Sequence, residues 1–131
     1  MLFDYDLVVP AHTLETAKVR KVCPLTSGVL QEIRVKFPPG PATLVHVAIF
    51  DSLHQIMPAN PDGTINLDDQ IITSSNLNYT LTAPFELFVD GWSPEAVYEH
   101  RITAQFEVYP DKKGDFDTFQ KLLSFGSTKK R

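Results

Sequence analysis

Apolar and polar residues alternate with a period of two along most of this chain. The pattern is most regular over residues 99–109, where His100, Ile102, Ala104, Phe106 and Val108 fall on one face and Glu99, Arg101, Thr103, Gln105 and Glu107 on the other. A period of two marks a β-strand with one dry and one wet side. The same grammar opens the chain, where Phe3, Tyr5, Leu7 and Val9 alternate with Asp4 and Asp6 until Pro10. It returns where Val29, Ile33, Val35 and Phe37 oppose Glu32, Arg34 and Lys36, before Pro38, Pro39, Gly40 and Pro41 forbid continuation. Residues 16–22 read as a less regular strand, and the slip at Lys21 and Val22 predicts a bulge there.

Residues 43–50 are apolar on both faces, which predicts a central strand covered from both sides. Shorter strands are expected at 54–57, 70–73, 79–81 and 85–89, with turn chemistry over 58–63 and again over 90–94. About eight strands at ~8–12-residue spacing, with proline and glycine in the joints, predict an all-β fold. The expected architecture is an antiparallel β-sandwich, jelly-roll-like, with an N-terminal strand arm over 1–10.

With 131 residues and 43% apolar content, the chain suffices for one core and not for two ordinary domains. The β-sandwich domain is expected over 1–110 and a C-terminal extension over 111–131. In the extension Phe116, Phe119 and Leu123 stand three or four apart, which predicts a short helix with Asp115 as N-cap and Gly126 beyond its end. Eleven residues make a marginal helix in water, so this segment needs a surface, either its own body or a neighbouring subunit.

Charge separates the two parts. Residues 1–110 carry 13 acids against 6 bases, or −7, while 111–131 carry 3 against 6, or +3. An acidic body argues against a dedicated nucleic-acid binder, because phosphate contacts need clustered positive charge. The acidic start lacks the basic residues and apolar run of a secretory signal, and no apolar stretch approaches the ~18 residues of a membrane span. Cys23 is the one cysteine, so no internal disulfide forms and a reducing, cytoplasmic setting is expected.

Catalytic chemistry has no local signature. His12, His46, His54 and His100 match no metal-ligand spacing; His46 and His54 could meet across a hairpin, without a third ligand. No Gly-x-Ser-x-Gly occurs and Cys23 has no catalytic surroundings in sequence, so neither catalytic residues, a metal site nor a cofactor is expected. Residues 58–69 imitate part of a calcium loop through Asn60, Asp62, Gly63 and Asp69, but proline occupies the first ligand position, so a self-bonded turn is the expectation. Trp92 and Tyr98 flank a loop at the end of the sandwich, and exposed aromatics there would stack on sugar rings.

The arm Phe3 to Val9, the Phe-Pro-Pro-Gly-Pro corner at 37–41 and the aromatic tail Phe116 to Phe125 together resemble small phage and viral virion components, especially capsid decoration or cement proteins. The resemblance implies a non-enzymatic structural protein, made in host cytoplasm and carried in the virion, that forms a trimer or similar homo-oligomer on a capsid shell. Arm and tail exchange would then use Phe3, Tyr5, Leu7 and Val9 on one neighbour and Phe116, Phe119, Leu122, Leu123 and Phe125 on another. The alternative is a carbohydrate-binding module whose glycan contacts are Trp92 and Tyr98.

Overall fold

The nested pairing of strands explains the architecture. A computed structural model describes residues 1–110. They form β1 (Leu2–Val9), β2 (Val19–Pro24), β3 (Gly28–Phe37), β4 (His46–Asp51), β5 (His54–Met57), β6 (Gln70–Ser74), β7 (Tyr79–Thr80), β8 (Glu86–Trp92) and β9 (His100–Pro110), with a 3-10 turn at Glu15–Ala17. Strand β1 pairs with β9, β2 with β8, β3 with β6 and β4 with β5, all antiparallel, so the chain is one long ribbon closed at the β4–β5 hairpin. Rolling that ribbon sets β9 beside β3 and β8 beside β4. The result is two sheets, ordered β1-β9-β3-β6 and β2-β8-β4-β5, with β7 added to β3. This is the jelly-roll arrangement of a β-sandwich. The helix expected near 115–125, with Phe116, Phe119, Leu122, Leu123 and Phe125, lies outside the described residues.

The dry faces meet between the sheets. Ile102, Ala104, Phe106 and Val108 of β9 are buried, as the alternation requires, and they pack with Ile33, Val35 and Phe37 of β3 and with Val47, Ile49, Leu87 and Val89 of the opposite sheet. Strand β3 departs from strict alternation. A bulge between Leu30 and Glu32 inserts one residue, so Leu30 and Ile33 both face the core and Val29, expected inward, is only half-buried. The bulge expected at Lys21 and Val22 is absent, because β2 pairs with β8 in unbroken register. Val22 faces outward opposite Phe88, an apolar cross-strand pair that accounts for the break in the pattern.

Boundaries moved where side chains found partners that local chemistry does not reveal. Residues 15–17 form the 3-10 turn instead of the start of β2, and β4 begins at His46 instead of 43. Strand β8 runs through Asp90, Gly91 and Trp92, a stretch whose Asp-Gly pair reads as a turn. Asp90 pairs with both Arg20 and Ala48, and Gly91 with Val19 and Val47. A Cβ at Gly91 would sit 2.7 Å from Leu7 Cδ2 and 2.8 Å from Val9 Cγ2, so the missing side chain is what lets β1 close over β8.

The core position with most to lose is Phe106, fully buried on the central strand β9. Phe106→Ala is expected to cost about 3–5 kcal/mol, through lost burial and the cavity left behind. Urea unfolding measures it, and a loss below ~1 kcal/mol would contradict the packing described.

Candidate functional site

Three features of the described residues invite a chemical reading: a buried ion cluster, a carbonyl-lined loop and an open edge. The ion cluster lies on the outer face of the four-stranded sheet. Asp90, with no exposed surface, accepts hydrogen bonds from Arg20 Nε at 2.7 Å and Nη2 at 2.9 Å, and Lys18 Nζ lies 3.3 Å from Oδ2. Alternation along β2 and β8 puts these groups on one face, and the β2–β8 register sets Arg20 directly across from Asp90. Aromatic rings frame the cations: the Arg20 guanidinium is 4.6 Å from the Phe88 centroid and 5.7 Å from that of Phe50, and Lys18 Nζ is 5.4 Å from Phe50 and 5.5 Å from Trp92. The Asp90 hydrogen bond raises the pKa of Arg20 further. Both carboxylate oxygens are taken by cations, so Asp90 acts as a structural charge and not as a base.

Trp92 is therefore not a loop aromatic. It is the last residue of β8, buried, with its ring stacked on His46 at 5.8 Å. Cross-strand pairing with His46 turns it onto the sheet face, under Lys18. Tyr98 stays exposed at 73%, but alone it is not the paired platform that the sugar reading required.

The calcium-like loop is organised by an amide. Gln55 Nε2 donates toward the carbonyls of Pro58 at 2.8 Å, Gly63 at 3.0 Å and Asn60 at 3.1 Å, and Gln55 is buried beneath the loop. That side chain fills the place where carbonyl oxygens converge. His46 and His54 do not meet: His46 pairs with Trp92 and sits 3.1 Å from Thr64 Oγ1, while His54 pairs with Asp51 at the hairpin end and stacks on Tyr79. Among the described residues no three His, Cys, Asp or Glu side chains are grouped to hold a metal ion. Cys23 is fully buried, which pushes its thiol up to about 12.

The open edge is the remaining feature, and sequence reasoning missed it. Between β5 and β6, with the loops that follow each, lies a groove of about 510 Å³ lined by Ile56, Met57, Ile65, Leu67, Ile72 and Leu77. Outside the groove, beside the β4–β5 hairpin, Tyr79 donates to Asp51 Oδ2 at 2.6 Å, and burial together with that bond pushes its phenol up to about 12. Strand β6, Gln-Ile-Ile-Thr-Ser, is the end strand of its sheet, with Ile71 58% and Ile72 36% exposed. It has no charge, no proline and no bulge, the devices by which sheet edges avoid unwanted pairing. The other three edges carry such guards: Asp4 and Asp6 on β1, Arg20, Lys21 and Pro24 on β2, and brevity with a following Pro58 on β5. The absence of charge in residues 70–74 was the signal available in the sequence.

The N-terminal arm is occupied at home. Strand β1 pairs along its whole length with β9; Leu7 and Val9 are buried, and Phe3 and Tyr5 pack against the same core. Their alternation is what places them there: Leu7 and Val9 lie in the core, and Phe3 and Tyr5, half-buried, pack against it. Tyr5 also donates to the Pro24 carbonyl, tying β1 to β2.

No family model and no curated protein matches the chain. Among solved structures it is similar to PirA, at 11% identity and a TM-score of 0.42 over 80% of this chain and 94% of that one. It is also similar to FLHE, at 13% and 0.37 over 82% and 96%. A third is the structure of tomato aspermy virus, at 11% and 0.40 over 84% and 79%. These are distant likenesses of β architecture.

Two measurements test the electrostatics. Arg20→Leu leaves the buried Asp90 carboxylate with Lys18 as its one counter-charge and is expected to cost about 3 kcal/mol, whereas replacing Asp90 and Arg20 together by leucine costs less; urea unfolding of both variants decides. The Cys23 and Tyr79 protons are held more tightly in the folded chain than at the ordinary values of 9.0 and 10.0. Their contribution to stability is thus intact below about pH 9 and is lost as pH rises toward 12. Cys23→Ala and Tyr79→Phe each should flatten that alkaline slope in unfolding midpoints measured against pH.

Proposed function

We propose that this chain is a non-enzymatic structural protein that joins neighbouring subunits of a larger protein assembly, as a capsid decoration or accessory component of a virion does. The observation that carries the reading is the bare edge of β6 beside an open apolar groove, on a fold whose other three edges are guarded. An unpaired strand edge offers backbone hydrogen bonds that set register, and an adjoining apolar groove offers the contacts that set affinity. The sequence adds a second fastener, since Phe116, Phe119, Leu122, Leu123 and Phe125 form an apolar series within a segment of charge +3 against a body of −7. Attraction between the two is modest and screened by salt.

Arm exchange is not part of this proposal, which rests on the β6 edge and the C-terminal segment. A glycan-binding role has lost its tryptophan and has no other observation behind it. Synthesis in a host cytoplasm and incorporation into a virion belong to the proposal, as does a homo-oligomeric state.

Light scattering after size exclusion tests it on the full chain of 14.7 kDa. A mass that exceeds the monomer and rises with concentration is expected, and deletion of 111–131 should leave the jelly roll folded while weakening association, more so at low salt. A strictly monomeric full chain at every concentration would overturn the proposal.

A further inference from the structure

We infer that β6 pairs with β6 of a second copy across a two-fold axis at Ile72, joining two five-stranded sheets into one. The inference rests on the assembly reading above and names its partner and register. Asp69 N–H donates to the Pro38 carbonyl at 3.2 Å, and β6 continues from there antiparallel to β3, with Ile71 opposite Lys36 and Thr73 opposite Arg34. Hydrogen bonding alternates along an antiparallel strand, so Ile71 and Thr73 bond to β3, and the N–H and C=O groups of Gln70, Ile72 and Ser74 face the open edge. Among the described residues no other strand pairs with them.

Those three residues form a self-complementary set. With the axis at Ile72, Gln70 of one copy meets Ser74 of the other, Ile72 meets Ile72, and Ser74 meets Gln70, each pair exchanging two backbone hydrogen bonds. The flanking charges avoid one another in this register: Asp69 falls opposite Ser75 and Asp68 opposite Asn76, so no like charges are opposed. On β1 the same self-pairing would bring the carboxylates of Asp4 and Asp6 into the seam, and on β2 the cations of Lys21 and Arg20.

Side chains support the same partner. Ile33, Val35 and Phe37 of β3 face the core, and their β6 partners Ser74, Ile72 and Gln70 share that side. Ile72 therefore stands at the mouth of the 510 Å³ groove, and pairing sets the mouths of two such grooves side by side with Ile72 against Ile72. Five residues per copy make a short seam, well below the ~1,600 Å² of a standard interface. The pairing is accordingly weak in dilute solution, and grows firm where many copies are held together.

Charge swapping at the axis tests this on the full chain, by sedimentation velocity over a concentration series with unfolding midpoints as a control for folding. Ile72→Lys and Ile72→Glu each place like charges face to face and should weaken self-association by about tenfold or more. An equimolar mixture of the two should recover a mixed dimer, which loss of folding cannot mimic. Gln70→Glu with Ser74→Lys, whose new charges oppose each other across the same axis, should tighten association. Association unchanged by Ile72→Lys, or a mixture that stays monomeric, overturns the two-fold and leaves the assembly reading standing, with the C-terminal segment as its remaining fastener. A wild-type chain that never associates overturns both.

Discussion

The carboxylate of Asp90 is closed off from water in the middle of a sheet, and the layout of the four-stranded sheet follows from how it is satisfied. An unpaired charge at that position would cost several kcal/mol, so the position is tenable only with Arg20 and Lys18 across the strand. Their stems and charged heads roof the outer face of the sheet, where Phe50, Phe88 and Trp92 would otherwise meet solvent. With Asp90 held, β8 passes straight through an Asp-Gly pair, gains the length to pair with both β2 and β4, and places Gly91 where β1 can close the sandwich.

Closure on that side contrasts with openness on the other. Where β1 meets β2, Tyr5 reaches the Pro24 carbonyl and Leu7 and Val9 seal the gap between sheets. Where β5 meets β6, the sheets part around a groove, and the loops there are fixed by polar clasps instead of apolar filling. Gln55 gathers three carbonyls of the 58–63 loop, and Asp68 Oδ1 accepts from the N–H groups of Gly40 and Ala42, both at 2.9 Å. A rigid rim around an apolar groove is preorganised for a partner, since little ordering is left to be done on binding.

That asymmetry links fold to proposed function. A jelly roll has four exposed strand edges, and solubility demands that each be blunted. Here three are blunted by charge, proline or brevity, while β6 is left uncharged and straight beside the groove. The buried, fully partnered chemistry elsewhere, in Asp90, Cys23 and the His46–Trp92 stack, serves stability. Among the described residues, edge and groove are the surfaces left without a partner.

The sequence by itself determined the strands and the class of fold. Alternation in 99–109, 3–9 and 33–37 fixes which side chains can be dry, and proline and glycine fix where strands must end, because both act through local sterics and solvation. Tertiary structure decided the rest. Asp90-Gly91 reads as a turn until Arg20, 70 residues away in sequence, supplies its counter-charge. Trp92 reads as a loop aromatic until His46 stacks on it, and Val29 reads as core until one extra residue in β3 shifts the phase to Leu30. The bare edge of β6 was visible as a lack of charge but had no meaning before the sheet order showed it to be an edge. Pairing partners and sheet order arise from contacts distant in the chain, and no local pattern encodes them.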